Sequence, residues 1–233
     1  MSNTIIYLTD HSLDEKLNKL CQKILLREAR EIPIISVSQR PIEFGKNICV
    51  GEIGRSWLSL YKQLKAGIDN VETENIVICE HDCIYTYEHL SFSPPKDNTV
   101  YYNNNTWLVQ YDSKDKFEYN GMFSFMPRRY AMSQLVANKE FMRIDTDLRL
   151  RVLMDQTDDI SVIRAQQWAA TGRSMSIGFL IQHKLPDHPH QRFTTKIPSL
   201  DIRHNDNFTG SKRGKKRCWE LPYWGKLEDI MEI

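Results

Sequence analysis

Apolar positions in the first eighty residues switch repeatedly between two periods. Thr4-Ile5-Ile6-Tyr7-Leu8 is a β-branched run that predicts a buried strand. Ser12-Leu13-Asp14-Glu15 then has the form of a capping box, with Ser12 as N-cap and Glu15 reaching back to it. Behind it Leu13, Leu17, Leu20 and Ile24 recur at helical spacing and predict a helix with one apolar face. Pro33 to Val37 reads as a second buried strand, followed by a loop holding Pro41, Gly45, Gly51 and Gly54. A helix from about Ser56 carries Trp57, Leu60, Tyr61, Leu64 and Ile68 on one side, and Asn75 to Cys79 is a third apolar strand.

Strand, helix, strand, helix, strand with short links predicts an α/β fold. Its central sheet is mostly parallel and is covered by helices on both faces. Ligands of such sheets lie beyond the carboxyl ends of the strands. Three segments therefore point at one cleft: Thr9-Asp10, Ser38-Gln39-Arg40 and Glu80-His81-Asp82. The second half is less regular. Val100 to Tyr102 and Trp107 to Gln110, joined by Asn103-Asn104-Asn105, predict a hairpin. Residues 130 to 155 carry a helical pattern read as two helices, residues 183 to 190 a Pro-broken loop, and Ile197 to Ile202 another strand. With no repeat and no linker, the reading is one compact domain in two halves, 1–112 and 113–233.

Charge narrows the classes. Across 233 residues, 31 Lys and Arg face 30 Asp and Glu, a formal net charge of +1, which excludes a wholesale polybasic coat. The five cysteines are odd in number and there is no export signal, so a disulfide scaffold is not expected. No stretch approaches the roughly 18 apolar residues of a membrane helix, and the N-terminus lacks a signal peptide, so the protein is read as cytoplasmic, with no membrane partner.

The sharpest chemistry is Val77-Ile78-Cys79-Glu80-His81-Asp82, in which two carboxylates spaced i and i+2 leave a buried strand. Carboxylates are hard oxygen ligands suited to Mg²⁺ or Mn²⁺ gripping a diphosphate. The plain alternative is that Glu80 and Asp82 only solvate a strand end. A zinc set of Cys79, His81, Cys83 and His89 has poor spacing for a knuckle, and His183, His188 and His190 sit in a surface-like loop. From Arg203 to Arg217, six basic residues face one acidic residue, with Gly210 and Gly214 interspersed. This reads as a basic loop suited to a diphosphate or a nucleic-acid backbone, or simply as a solvated one. Trp219, Tyr223 and Trp224 beside it could stack on a base or sugar, or pin the C-terminal segment to the core. No Walker loop, no Gly-x-Gly-x-x-Gly after a strand and no Gly-x-Ser-x-Gly elbow is present.

The strand order, with Asp10 after the first strand and Glu80-His81-Asp82 after the third, resembles a GT-A glycosyltransferase. In that family a nucleotide-binding α/β sheet uses an Asp-x-Asp-type motif to hold a divalent metal on a nucleotide sugar. Glu80 replaces the first Asp, which preserves oxygen ligation. The stretch Leu200-Asp201-Ile202-Arg203-His204-Asn205-Asp206-Asn207-Phe208-Thr209-Gly210, the basic run Lys212-Arg213-Gly214-Lys215-Lys216-Arg217 and the segment Trp219 to Gly225 resemble small phage and metagenome glycosyltransferase-like proteins.

The resemblance implies that residues 1–112 bind the nucleotide sugar, a UDP-sugar by preference, and that 113–233 bind the acceptor. It places Thr9 and Asp10 on the nucleoside and Arg55 near the diphosphate or sugar, and the basic loop with Lys212 and Arg213 would close over the diphosphate or grip a nucleic-acid backbone. Glu80, Asp82 and His204 fall on Mn²⁺ or Mg²⁺. Asn120, Gly121, Lys215, Lys216 and Trp219 would face the acceptor, and Asp158 or Asp159 would act as general base if the reaction inverts the anomeric centre, whereas a retaining reaction needs no dedicated base. The phage-like part implies a hydroxymethylated pyrimidine in DNA as acceptor, reached by base flipping, and the host cytoplasm as location. A polysaccharide, protein or small-molecule acceptor, and a non-catalytic nucleic-acid-binding protein, are the other readings.

Overall fold

The computed structural model describes residues 2–111, 121–125, 131–155, 189–204, 206–207 and 216–232. Every residue of β1 (Asn3–Thr9) is buried, because the strand has hydrogen-bonded neighbours on both sides and helices on both faces. Its neighbours β2 (Ile34–Ser38) and β4 (Asn75–Glu80) run parallel to it, with Thr9 opposite Ser38 and Leu8 opposite Glu80. The three carboxyl ends expected to share a cleft therefore do lie side by side. β3 (Lys46–Cys49), within the stretch expected to be loop, extends the sheet in parallel beyond β2.

The other elements are α1 (Glu15–Ala29), α2 (Trp57–Ile68), β5 (Cys83–Ile84), α3 (Tyr87–Leu90), β6 (Val100–Asn103) and β7 (Thr106–Gln110). Then come β8 (Phe123–Phe125), β9 (Leu135–Asn138), α4 (Lys139–Met154), β10 (His190–Phe193), β11 (Ser199–Arg203), β12 (Lys216–Cys218) and α5 (Leu227–Met231). They complete a mixed α/β fold of two sheets, ordered β10-β6-β9-β4-β1-β2-β3 and β12-β8-β7-β11-β5. The first is mostly parallel, with β9 antiparallel to both β4 and β6.

The core has three parts. Ile6, Leu8, Val37, Ile76 and Ile78 pack under Tyr61, Leu64 and Ile68 of α2 and Met142 of α4. On the opposite face, Ile5, Tyr7, Val77 and Cys79 meet Leu25 and Ala29 of α1. The expected apolar face of α1 does not rest on this sheet. Leu17, Leu20 and Ile24 pack instead against Ile84, Val109, Phe123, Leu200 and Ile202 of the second sheet. The helix is thus sandwiched between the two sheets, resting on β1 and β4 of the first.

Four local expectations are corrected. Asp14, not Ser12, caps α1, accepting from the Lys16 and Leu17 amides. Ser12 is unavailable because its amide and hydroxyl both bond Asp10 Oδ1, at 3.0 and 2.6 Å. β6 and β7 form no hairpin but enter different sheets, since Asn103 ties the crossing point to Thr195 and Ser199 across the chain. Residues 135–138 are a strand, because Leu135, Val136 and Ala137 are buried between β4 and β6, and α4 follows as one helix capped by Asn138.

Gly67 shows how tightly α2 rests on β1. A Cβ there would come 2.6 Å from Ile6 Cγ2 and 3.2 Å from Val37 Cγ2. Gly67→Val is expected to lower stability by about 3 kcal/mol through overpacking, measured as a shifted urea midpoint at constant m-value. An unchanged midpoint would show that α2 slides without cost.

Candidate functional site

The site grows from the carboxyl ends of β1, β2 and β4. Thr9 ends β1 buried, its Oγ1 accepting from the His11 amide at 3.1 Å and its carbonyl from Gln63 Nε2 at 2.9 Å. His11 takes a left-handed backbone (φ 62°), which turns the chain sharply beyond Asp10. Its Nε2 accepts from the Arg40 amide at 3.1 Å, joining the first two strand ends. Burial lowers the His11 pKa, favouring the neutral ring that this acceptance requires.

Gln39, which follows β2, positions the next loop. Its Oε1 accepts from the Ile53 and Gly54 amides, both at 3.1 Å, and its Nε2 donates to the Gly54 carbonyl at 2.7 Å. Gly54 has φ +74°, a conformation that favours glycine. The clamp delivers Arg55 to Asp10, with Nε 2.5 Å from Oδ2. Burial pushes the Asp10 carboxyl up, but the Ser12 hydroxyl, the His81 imidazole and Arg55 outweigh it and hold its pKa below the usual value.

After β4 the chain turns through His81 and Asp82. His81 Nε2 lies 3.7 Å from Asp10 Oδ1, and His204 Nε2, from the end of β11, lies 3.7 Å from Asp82 Oδ2. The two rings are 6.4 Å apart. Asn207 donates to Asp82 Oδ2 at 2.8 Å and accepts the His204 amide at 2.7 Å, so a short turn of the C-terminal segment is pinned on Asp82. Arg55 also donates to the Asp206 carbonyl, which ties the same turn to Asp10. Asp82 is 8% exposed. Burial pushes its carboxyl up, yet His204, His81 and Arg203 around it pull the pKa down to about 2, so it is ionised at neutral pH.

The structure therefore brings together Thr9, Asp10, Arg55, Asp82 and His204. Glu80 closes β4 beside them, half-buried, its amide donating to the Tyr85 hydroxyl at 2.9 Å. Gly121 and Trp219 lie elsewhere, on a second cleft at the edge of the second sheet, and Lys216 is exposed in β12. Asn120, Asp158, Asp159, Lys212, Arg213 and Lys215 lie outside the described residues. Sequence reasoning missed the parts played by His81, Gln39 and Asn207. His81 lay within the acid motif and could have been found there, whereas Asn207 is 125 residues from its partner Asp82.

The zinc reading of Cys79, His81, Cys83 and His89 does not survive. Cys79, Cys83 and His89 are buried around Tyr85, while His81 turns to Asp10. All five cysteines are free. Among the described residues, no three His, Cys, Asp or Glu side chains converge closely enough to hold a metal, and no helix is long and apolar enough to cross a membrane.

No protein-family model and no curated protein matches the chain. Among solved structures it is similar to a glycosyltransferase involved in glycosylation of the major capsid of PBCV-1, at TM-score 0.44 and 8% identity, over 90% of this chain and 95% of that one. It is similar to the apo-form glycosyltransferase GlyE of Streptococcus pneumoniae TIGR4 at TM-score 0.45 and 11% identity, over 92% of this chain and 58% of that one. It is also similar to the bifunctional IspDF of Campylobacter jejuni at TM-score 0.37 and 13% identity, over 79% of this chain and 54% of that one. The chain thus spans little more than half the length of the last two. The functional reading rests on the chain's own residues.

Proposed function

We propose that the chain is a glycosyltransferase that takes its sugar from a nucleoside diphosphate sugar, UDP-linked by preference. The observation that supports this most directly is Asp82, a buried, ionised carboxylate at the carboxyl end of the central sheet, faced by His204 and joined through His81 to the Asp10–Arg55 pair. Thr9 and Asp10 would meet the nucleoside, and Arg55, with Lys212 and Arg213, the diphosphate. Arg55 is suited to this because its guanidinium already holds an anion in Asp10 and matches phosphate geometry.

A divalent metal suits these donors by chemical type, and since no three of them converge as the side chains stand, it would have to draw them together. Asp82 offers an ionised oxygen, and the His204 and His81 Nε2 atoms are buried with no hydrogen-bond partner. Asp82 and His204, with Glu80, would hold the ion, which when bound would neutralise charge on the leaving diphosphate. In transfer, the bond from the anomeric carbon to the diphosphate oxygen breaks, and its electron pair leaves with the nucleoside diphosphate. A bond to the acceptor oxygen forms, and the acceptor proton passes to a base, for which Asp158 and Asp159 are proposed.

Calorimetric titration of UDP with and without Mn²⁺ tests the reading. Wild type is expected to bind in a metal-dependent manner, and Arg55→Ala to weaken binding about tenfold or more through loss of a charge-assisted contact. No binding of UDP or any other nucleoside diphosphate would remove the reading. A second one would then stand, a nucleic-acid-binding protein without turnover, supported by the basic run from Arg203 to Arg217 and marked by steep salt dependence.

A further inference from the structure

We propose that a second cleft, at the far edge of the second sheet, binds a saccharide chain at a distance from the transfer centre. The cleft is open, has a volume of about 490 Å³, and is lined by Gly121, Trp219, Lys226, Glu228 and Asp229. β8 and β12 build it. Cys218 pairs with Phe123, so Trp219 follows β12 beside the Gly121-Met122 end of β8. Trp219 is 53% exposed, a large apolar surface left in water. Gly121 has φ +74°, a backbone conformation that favours glycine and turns the chain at the cleft.

The groups around the cleft select a ligand class. Asp229 is spent on the helix it belongs to, its Oδ2 accepting the Lys226 amide at 2.7 Å. Glu228 makes no hydrogen bond or ion pair among the described residues, and neither does the Trp219 indole N–H. A ligand therefore meets an unspent carboxylate acceptor, an indole donor, an ammonium donor on Lys226 and a bare aromatic face. Groups that donate and accept at once, attached to an apolar C–H face, satisfy this mixed set, and the hydroxyls of a sugar ring are such groups. A polyanion would have to approach Glu228 and Asp229 against its own charge, and a cation would meet Lys226.

Register gives the distance to the first site. Asp82, Ile202, Val109, Phe123 and Cys218 form one row across the second sheet. Four strand spacings separate its ends, about 19 Å. A sugar gripped by Trp219 is thus not the ring whose hydroxyl reacts near Asp82. Both sites lie toward the same strand ends, so one extended saccharide can reach both. The role as a distal acceptor anchor rests on the glycosyltransferase reading, whereas saccharide binding by the cleft does not.

Fluorescently labelled full-length chain on a printed glycan array tests the proposal, with Trp219→Ala and Glu228→Gln beside wild type and equal melting temperatures as the folding control. The expected result is binding to one set of neutral glycans that is insensitive to salt and falls about tenfold or more in each variant. Two results would overturn it. One is no glycan whose binding depends on Trp219. The other is binding of single-stranded or duplex DNA oligonucleotides that Trp219→Ala removes and salt weakens, which would return DNA as the acceptor. UDP titration on the same preparations separates the two readings. Glycan binding without UDP binding keeps the cleft and removes the donor site, and UDP binding without glycan binding does the reverse.

Discussion

Asp82→Ala is expected to lower metal-dependent UDP binding by about 100-fold or more while the chain still folds. The loss follows from what the carboxylate joins. Its Oδ2 faces His204 and accepts from Asn207, so it is the anchor of the C-terminal turn as well as a charge at the sheet's ligand end. Removing it leaves the buried His204 ring and the Asn207 amide without their anionic partner, at a cost of about 1–3 kcal/mol. The three hydrophobic clusters hold none of these groups, so the core persists. Asp82→Asn separates charge from shape. It is expected to lose UDP binding nearly as severely as Asp82→Ala, at a smaller stability cost. If Asp82→Asn bound UDP like wild type, the ionised carboxylate would not be part of the donor site.

Acid is expected to unfold the protein along a profile that His89→Phe flattens. His89 is 0% exposed, its ring lies between Tyr85 and Phe193 at 5.2 and 5.6 Å, and neither ring nitrogen has a hydrogen-bond partner. Burial lowers its pKa from 6.5 to about 3. Between these values the unfolded chain takes up the proton and the folded chain does not. The stability held above pH 6.5 is therefore lost as pH falls, at about 1.4 kcal/mol per unit. By pH 4.5 this one residue removes about 3 kcal/mol. Phenylalanine keeps the ring stack and cannot titrate, so His89→Phe should retain that stability and gain some at pH 7 by removing two buried unbonded nitrogens. Asp82 acts in a lower window. Its folded pKa of about 2 lies below the ordinary 3.8, so its contribution is full above that value and lost as pH falls toward 2. Urea midpoints of wild type and His89→Phe from pH 7 to 4.5 check this, and parallel profiles would show that His89 titrates normally.

The sequence by itself determined the features that depend on near neighbours. The β-branched runs of β1, β2 and β4 and the helical spacing in α1 and α2 all appear in the structure. So does the placement of Asp10, Gln39 and Asp82 at adjacent strand ends, since parallel strands with short helical crossovers must align those ends. Tertiary structure alone decided which face of α1 meets which sheet, because an apolar stripe specifies burial without naming its partner. It also split the expected hairpin, since Asn103 bonds to Thr195 and Ser199 more than ninety positions away and β6 and β7 are left in separate sheets. The pairing of Asp82 with His204 and Asn207 belongs to the same class, as does the meeting of Gly121 and Trp219 at one cleft. Strand partners distant in sequence are chosen by how whole faces bury together, and no local period along the chain encodes that choice.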